Sequence, residues 1–323
     1  MELPNELKVA IEKNLEKIST GELAKHSENI SLKYRNEERN GKKLLTLEAE
    51  ALSYSAVRMP ATYGAIYTAL RNTLQICNIG IETLLDVGAG TGAGTWAASD
   101  LLELKHITCL ERENVMMNIG KSLMENSTTD VIKNANWKQL DVVKDDITET
   151  ADLVICSYVL NEIPEKERYD IVEKLWKATN KILIILEPGT PIGFKEIKQI
   201  RGQLINSGAY LLAPCPNSEE CKMIEDDWCH ATCRIARSKV HKFLKKGDVP
   251  YEDEKFSYIA VSKSKFDINN IARVLRHPKI EEGRISLEIC TKDGIRTKVV
   301  TKKDKEMFKK ARKVKCGDMI VLE

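Results

Sequence analysis

Short apolar runs rich in β-branched residues alternate with amphipathic stretches from Thr83 onward, and this alternation restricts the fold more than any other feature of the chain. The runs are TLLDVG, HITCLE, NWKQLDV, DLVICSYVL and KILIILEPG, and EKERYDIVEKLWKAT is one of the stretches between them. Strands that alternate with helices form a parallel sheet with helices on both faces. The sequence therefore predicts an α/β fold. EKFSYIAVSKS predicts a further strand after a long excursion over residues 190–254.

The regions on either side of this alternation have different patterns. Residues 1–80 predict helices, because apolar side chains recur at helical spacing over residues 7–15 and again around 44–54 and 58–76. We therefore expect an N-terminal helical region that ends near residue 80.

Beyond residue 264 the pattern predicts a small β-rich module. RISLEICTKDGIRTKVV predicts a hairpin that turns at Asp293-Gly294, and a lysine-rich helix and the strand DMIVLE follow it. We thus expect the α/β domain to cover residues 81–264, with a cysteine-containing insertion at about 208–235, and the module to cover 265–323.

Composition excludes several classes of protein. Of 323 residues, 42% are hydrophobic and 30% are charged, which excludes a disordered or low-complexity chain. No apolar run reaches the roughly 18 residues that a membrane span needs. The charged, amphipathic N-terminus does not resemble a secretory signal, and nine cysteines, an odd number, favour a reducing compartment. We expect a cytoplasmic monomer without a membrane partner.

The net charge of +2 hides an asymmetry along the chain. Residues 262–323 contain 17 Lys and Arg against 9 Asp and Glu, a balance of +8, whereas residues 1–261 contain 33 against 39, a balance of −6. A basic terminal region on a mildly acidic body favours a phosphate-rich partner such as RNA. The alternative is a solvated, lysine-rich surface.

A glycine-rich turn follows the first strand of the alternating region. Asp86 ends the strand, and Gly88, Gly90 and Gly92 follow it with G-x-G-x-G spacing before a helix. Dinucleotide-binding folds have G-x-G-x-x-G instead, and no Gly-Lys-Ser/Thr follows as in a phosphate-binding P-loop. An acidic residue directly before the glycines would also repel a pyrophosphate.

Four of the nine cysteines fall within 19 residues of an irregular, proline-containing segment, at Cys215, Cys221, Cys229 and Cys233. Thiolates gathered on such a loop favour a metal site. The spacing fits no C-x2-C zinc ribbon, so zinc and iron–sulfur both stay open. Cys233 has an alternative as a buried core residue on a helix, and Cys290 is a candidate ligand from a distant part of the chain. Three other cysteines lie in core-like strand or helix segments, and we predict that they serve packing only: Cys77, Cys109 and Cys156.

A basic helix is predicted directly after these cysteines. Cationic side chains recur at three- and four-residue spacing, at Arg234, Arg237, His241 and Lys245. The opposite face of the same helix would carry the core side chains Ala236, Val240, Phe243 and Leu244. We predict that Arg234, Arg237 and Lys245 bind RNA. The alternative is the solvated face of an ordinary amphipathic helix.

The glycine turn resembles motif I of class I S-adenosylmethionine-dependent methyltransferases, a Rossmann-like α/β fold. The resemblance implies cofactor contacts from the turn residues Asp86, Gly88, Ala89, Gly90 and Gly92. It implies that Glu111, after the second strand, accepts hydrogen bonds from the ribose hydroxyls. It also implies that Asp141 contacts the adenine and that Asn161 lies near the methyl group. The alternative is a turn that serves only strand–helix packing. Methyl transfer needs mainly proximity and orientation, so no catalytic residue is assigned.

From Ala56 to the C-terminus, the chain resembles the mitochondrial small-ribosomal-subunit methyltransferase-like family, which comprises mitoribosome assembly factors and their prokaryotic relatives. The resemblance rests on RMPATY, DVGAGTGAGTWAA, LEPGTPIGF, APCPN, DWCH, CRIARSKVHKF and CTKDG. It implies binding of S-adenosylmethionine, association with small-subunit rRNA and a four-iron–four-sulfur cluster. The implied cluster ligands are Cys215, Cys221, Cys229 and Cys290.

Three functions follow from these patterns. The first is a methyltransferase-like protein that acts on small-subunit rRNA or on the small ribosomal subunit. The second is a non-catalytic iron–sulfur protein that binds RNA during ribosome assembly. The third, a small-molecule methyltransferase, is disfavoured by the basic C-terminal region. Zinc stays the alternative to the [4Fe–4S] cluster.

Overall fold

The computed structural model describes residues 1–19, 21–26, 45–224, 226–245, 247–268 and 270–322. The chain divides into two compact units, each built from separate segments. The first unit comprises Met1–Thr68, Gly80–Ile184 and Cys233–Glu254. The second unit comprises Ala69–Ile79, Ile185–Thr232 and Lys255–Glu323. The predicted domain boundaries near residues 80 and 264 stay a prediction, because compactness alone does not establish independent folding.

Helices form the beginning of the chain, as the spacing of apolar residues predicts. They are α1 (Asn5–Leu15), α2 (Glu48–Val57) and α3 (Met59–Leu74). Leu7, Ile11 and Leu15 form the buried face of α1, which packs against the helix Asn114–Met124 of the same unit. Within the predicted helix over residues 44–54, Leu44 lies outside the described residues.

A parallel sheet forms the centre of the first unit. Its strands are β1 (Thr83–Val87), β2 (His106–Glu111), β3 (Asn136–Gln139), β4 (Ala151–Ser157) and β5 (Thr179–Pro188), the last of which continues into the second unit. They are ordered β3-β2-β1-β4-β5, which is the order of doubly wound nucleotide-binding sheets. The helices between them are α4 (Ala93–Ser99), α5 (Asn114–Met124), α6 (Asp130–Lys133) and α7 (Glu165–Ala178). The predicted α/β fold is confirmed.

The register of this sheet explains the apolar runs. Leu85 pairs with Thr108 of β2 and with Val154 of β4, both in parallel. Because helices cover both faces, every residue from Leu84 to Val87 is buried. Parallel strands also bring their carboxyl ends to one edge of the sheet, which is where ligands bind in folds of this kind.

The excursion over residues 190–254 contains more regular structure than the sequence patterns predict. Its elements are α8 (Pro191–Asn206), β6 (Tyr210–Ala213), β7 (Ala231–Ala236) and α9 (Lys239–Leu244), and β8 (Tyr251–Ser262) follows. Thr190 caps α8 by accepting a hydrogen bond from the backbone N–H of Gly193. In the second unit, β6 pairs with β8 in the antiparallel direction.

The predicted basic helix over residues 234–245 is wrong. Residues 231–236 form strand β7, in which buried Ala231, Cys233 and Ile235 alternate with more exposed neighbours. Only Lys239–Leu244 is helical. Two predicted core residues, Ala236 and Phe243, are exposed, and His241 of the predicted basic face is fully buried. The helical spacing of cations is therefore a coincidence across a strand, a bend and a short helix.

The C-terminal module is confirmed as β-rich. Its strands are β9 (Ile271–Val274), β10 (Lys279–Glu281), β11 (Arg284–Thr291), β12 (Gly294–Thr301) and β13 (Met319–Val321), and α10 spans Lys305–Ala311. Strands β11 and β12 form the predicted hairpin, with Thr291 paired to Gly294. The core of the module consists of Ala272, Val274, Ile285, Leu287, Ile289, Val300, Ala311 and Ile320. None of the helices in the described ranges has the length and apolarity to cross a membrane.

Candidate functional site

The glycine turn after β1 requires its glycines for backbone reasons. Gly88, Gly90 and Gly92 have φ angles of +67°, +58° and +89°. These values lie in the left-handed region, which glycine adopts without steric cost. Two of the glycines are also tightly packed, because a Cβ atom would lie 2.2 Å from Val159 Cγ2 at Gly88 and 2.2 Å from Met124 Cε at Gly92.

Gly90 differs from the other two glycines of the turn. A Cβ atom built on Gly90 would approach only Met116 Cε, at 3.5 Å. Gly90 therefore has open space beside it, and it lines a cavity of the first unit. Tight packing therefore excludes a side chain at Gly88 and Gly92, whereas at Gly90 a side chain would extend into open space.

Asp86 connects β1 to the helix that follows the turn. Its Oδ2 atom accepts hydrogen bonds from the backbone N–H of Thr95 at 2.8 Å and from Thr95 Oγ1 at 3.1 Å. Burial raises the pKa of Asp86 to about 6, against the lowering effect of these hydrogen bonds. The carboxylate is thus directed at α4 and is not among the residues that line the cavity.

Glu111, at the end of β2, holds the turn from the other side. Its Oε2 atom accepts a hydrogen bond of 2.7 Å from the backbone N–H of Gly90, and its Oε1 atom accepts one of 2.8 Å from the N–H of Glu113. Burial is the main cause of its raised pKa. Each carboxylate oxygen has a further lone pair, so Glu111 retains capacity to accept from a ligand.

The cavity of the first unit brings together four of the eight residues predicted for the cofactor, namely Gly88, Gly90, Glu111 and Asp141. It does not include Asp86, Ala89, Gly92 and Asn161. Asn161 lies in a 3-10 turn after β4, and its Oδ1 atom is buried without a hydrogen-bond partner among the described residues. The predicted roles of all eight residues stay predictions.

The walls of the cavity are acidic. Among the described residues, four carboxylate side chains line it, from Glu111, Glu113, Asp141 and Glu162, against the guanidinium of Arg112. Glu113 directly follows Glu111 and Arg112 in sequence, and its position at the carboxyl end of β2 is the signal that sequence reasoning missed. Such a wall favours a ligand with positive charge.

Tyr158 is another residue of this cavity that the sequence patterns did not indicate. It directly follows β4, and its φ angle of +58° is unusual for a residue other than glycine. Its hydroxyl donates a hydrogen bond of 3.1 Å to Glu254 Oε1, which also pairs with Arg58 at 3.4 Å. Backbone strain of this kind clusters at functional sites.

A second cavity, in the second unit, brings together the four predicted cluster ligands. Cys215, Cys221, Cys229 and Cys290 all line it, and each is half-buried. Burial raises the pKa of Cys215 and Cys229, and raises that of Cys290 to about 12. These thiols are therefore protonated at neutral pH until a metal displaces the proton.

Two further cysteines do not line this cavity. Cys233 is buried in β7, within the first unit, which agrees with the packing role that the sequence left open for it. Cys316 is buried, and its thiol donates to the carbonyls of His230 and Leu275 at 3.1 and 3.0 Å. Among the described residues, no three or more His, Cys, Asp or Glu side chains form a group that would hold a single metal ion.

Two arginines line the same cavity as the cysteines. Arg273 of β9 is 2% exposed, and Arg201 of α8 is 7% exposed. The sequence contains a signal for each of them. Arg201 lies on the apolar stripe of α8 with Ile197 and Leu204, and Arg273 lies between the two buried residues of an apolar strand.

A sequence model of the family described as Mitochondrial small ribosomal subunit Rsm22 matches residues 48–321. The chain belongs to this family. The resemblance noted in the sequence is thereby confirmed over both cavities, because the matched residues include every lining residue of the cysteine cavity and, apart from Leu45, every lining residue of the acidic one.

One relative of this Rsm22 family member is the human ribosome assembly protein METTL17, mitochondrial, which is 22% identical over 294 residues. The match covers 84% of this chain and 63% of the relative, so the chain spans a little under two thirds of the relative's length.

Two solved methyltransferase structures are also similar. Magnesium protoporphyrin IX methyltransferase from Synechocystis PCC 6803 with bound S-adenosylmethionine is 13% identical, with a TM-score of 0.41 over 72% of this chain and 91% of that chain. The N-methyltransferase NodS from Bradyrhizobium japonicum WM9 in complex with S-adenosylhomocysteine is 11% identical, with a TM-score of 0.39 over 61% and 84%.

The cations predicted to bind RNA have carboxylate partners in this Rsm22 family member. Arg234 forms a bidentate pair with Asp253, with both distances 2.7 Å, and Arg237 pairs with Glu252 at 3.0 Å. The charge of Lys245 helps to lower the pKa of the same Glu252. The sequence spacing identified these cations but not the acidic residues of β8 that neutralise them.

Proposed function

We propose that this chain is an S-adenosylmethionine-binding, methyltransferase-like protein that acts in assembly of the small ribosomal subunit. The observation that carries this proposal is the acidic cavity at the glycine turn, in a chain that belongs to the Rsm22 family. The family's description names the small ribosomal subunit, and the human relative is a ribosome assembly protein. Location in the cytoplasm and a monomeric state stay predictions.

S-adenosylmethionine fits the chemistry of the acidic cavity. The cofactor carries a positive sulfonium and a positive α-ammonium group, and in the described lining the carboxylates outnumber the guanidinium groups. Gly90 leaves room for close approach of a ligand. Glu111 has acceptor capacity left for a ribose hydroxyl.

Methyl transfer is the second step of the proposal. The bound cofactor supplies an electrophilic methyl group, and the chain has to orient it and exclude water. Tyr158, with its positive φ angle, and Asn161, whose Oδ1 atom has no hydrogen-bond partner in the described ranges, lie in the segment that follows β4, where the family resemblance predicts the methyl group. The alternative is an assembly factor that binds the cofactor without transferring its methyl group.

We also propose that Cys215, Cys221, Cys229 and Cys290 hold a [4Fe–4S] cluster. Four thiolates select soft metals, and zinc is the other candidate. The arrangement supports the cluster, because a cluster attaches its ligands to four separate irons, whereas one zinc requires all four sulfurs within about 2.3 Å of a single point. Bound there, the cluster would tie the loop after β6 to β11 within the second unit.

RNA contact is proposed for the C-terminal module. The cations on and after α10 are exposed and have no carboxylate partner in the described ranges: Lys305, Lys309, Lys310, Arg312, Lys313 and Lys315. Free cations release condensed counterions from RNA, whereas paired cations must first give up a carboxylate. Arg234, Arg237 and Lys245 stay predicted contacts of lower rank.

The proposal is tested by incubating the purified protein with tritiated S-adenosylmethionine and small ribosomal subunits that lack this protein. Label in the rRNA, absent with the Gly90→Ala variant, supports a methyltransferase. Cofactor binding without label, together with stable binding to the subunit, supports the non-catalytic assembly factor. Failure to bind both the cofactor and the subunit contradicts the proposal.

A further inference from the structure

Arg273 is a buried cation that has no counter-charge among the described residues. Its Nε atom donates to the carbonyl of Pro214 at 2.8 Å, and its Nη1 atom donates to the carbonyl of Gly317 at 2.9 Å. The Nη2 atom is buried and has no hydrogen-bond partner among the described residues. Arginine is almost never fully buried unless it is paired, because burying an uncompensated charge is costly.

Arg201 has the same arrangement on a different element. Its Nη2 atom donates to the carbonyls of Asn217 and Glu219 at 2.9 and 2.5 Å, and its Nε atom is buried without a partner in the described part of the chain. Neither arginine is paired with a carboxylate there. Arg276 shows the ordinary alternative in the same unit, because it is ion-paired with Asp227.

Both guanidinium groups are near the thiols. Arg201 and Arg273 line the cavity that the four cysteines line. The other charged side chains of this lining, Lys198, Glu220 and Lys222, are exposed. The two arginines are therefore the buried charges beside the four thiols, and neither is paired with a carboxylate in the described ranges.

We propose that Arg201 and Arg273 are the counter-charges of the metal–thiolate group, and that their unpartnered N–H groups donate hydrogen bonds to its sulfur atoms. This inference rests on the proposed metal site. A [4Fe–4S] cluster with four thiolates has roughly two negative charges in excess, and net charge and hydrogen bonds to sulfur set its reduction potential. The two arginines balance that charge, and the cluster satisfies their buried donors.

The two arginines should shift the reduction potential of the cluster in a definite direction. Reduction adds one electron to the cluster and thus one more negative charge, which neighbouring cations stabilise. Removing either cation therefore makes the cluster harder to reduce and lowers its potential. Replacement by lysine keeps the charge and loses the planar fork of donors, so it restores part of the effect.

The test compares full-length wild type, Arg201→Met, Arg201→Lys, Arg273→Met and Arg273→Lys, all purified anaerobically. Arg284→Met is the matched control, because Arg284 is an exposed arginine of the same unit that pairs with Glu281. We expect each methionine variant either to lose iron or to show a tenfold lower ratio of reduced to oxidised cluster at fixed potential, which is a potential lowered by 59 mV for one electron; a raised potential contradicts the inference. Each lysine variant should retain iron and lie between wild type and methionine.

Two results overturn the inference. One is an unchanged potential and iron content in both folded methionine variants. The other is equal loss of iron in the lysine and methionine variants with intact circular dichroism, which indicates a packing role. If Arg273→Met does not fold, the comparison of Arg201→Met with Arg201→Lys tests the inference. Wild type with one zinc refutes the cluster but not the counter-charges, which the same variants then test by zinc retention. Wild type without metal refutes both.

Discussion

The two cavities of this protein differ in how their charges are satisfied. In the first cavity, the lining carboxylate of Glu111 accepts hydrogen bonds from the backbone of Gly90 and Glu113. In the second unit, two buried arginines face thiols and have no carboxylate partner in the described ranges. The lining of the first cavity favours a ligand with positive charge. For the second cavity, we propose that an anionic metal–thiolate group balances the arginines.

The largest expected effect is on the second cavity. Changing Cys229 or Cys290 to serine removes one ligand of the proposed cluster, so we expect the protein to lose its brown colour and essentially all of its iron. Iron and sulfide analysis of anaerobically purified protein checks this result.

Cys316→Ser and Cys233→Ser are the matched controls, because both cysteines are buried but neither lines the cavity. Both controls should keep their iron. Loss of iron from the Cys316 variant, with iron retained in the Cys290 variant, would show that Cys316 is the fourth ligand.

The buried carboxylate of Asp86 should make the free energy of unfolding depend on pH. Because its folded pKa is raised from 3.8 to about 6, mainly by burial, the folded state binds the proton more tightly. Stability contributed by this group is present below about pH 4 and is lost as pH rises to about 6. Relative to wild type, the free energy of unfolding of Asp86→Asn should thus increase by about 2 kcal/mol between pH 4 and pH 7.5.

Asp152 provides a control of opposite sign. Burial raises its pKa, but hydrogen bonds from the backbone of Glu82 and from Lys181 outweigh burial and lower it. Asp152→Asn should therefore lose stability relative to wild type as pH rises. Parallel urea titrations of the two variants check this, and identical pH trends would show that burial of Asp86 is not the cause.

Cofactor binding should depend on the open glycine of the turn. At a concentration 100 times its Kd, S-adenosylmethionine stabilises a protein by about 2.7 kcal/mol. We expect Gly90→Ala to lose most of this gain, because the added methyl group occupies the cavity beside the turn.

Gly283→Ala is the matched control, with a φ of +78° and open space around its Cβ. Both substitutions force alanine into the left-handed region, at about 1–2 kcal/mol each, so their stability without cofactor should be similar. Thermal unfolding with and without the cofactor measures both effects. Equal cofactor stabilisation of the two variants would show that the glycine turn does not bind the cofactor.

The smallest expected effect is on RNA binding. Reversing the charges of Lys309 and Lys310 should weaken binding to rRNA by about tenfold and reduce the salt slope by about 1 to 2. Arg234→Glu should have little effect, since Arg234 already pairs with Asp253. Fluorescence anisotropy at several salt concentrations measures RNA binding by both variants. A larger loss of affinity in Arg234→Glu would indicate that Arg234, Arg237 and Lys245 form the RNA-binding surface instead.

The strands of the first unit were predictable from sequence because a parallel sheet covered on both faces needs continuous apolar runs. The glycine turn and the gathering of Cys290 with three loop cysteines also followed from motifs. These features were predictable because they rest on local sequence patterns or on family resemblance.

Strand β7 shows where sequence reasoning failed. The cations at positions 234, 237, 241 and 245 match a helical period, but the alternation of buried Ala231, Cys233 and Ile235 has a period of two, and the pairing of β7 with β8 decides. The direction of the Asp86 carboxylate, and the burial of Arg201 and Arg273 away from any carboxylate of the described ranges, depend on three-dimensional contacts. No local pattern specifies them.

Native mass spectrometry of the anaerobically purified full chain, with S-adenosylmethionine added, tests the contrast between the two cavities most directly. We predict that wild type carries the mass of one cofactor and one [4Fe–4S] cluster, that Gly90→Ala carries only the cluster, and that Cys290→Ser carries only the cofactor. Wild type that carries neither mass, or both masses lost together in each folded variant, would contradict the account.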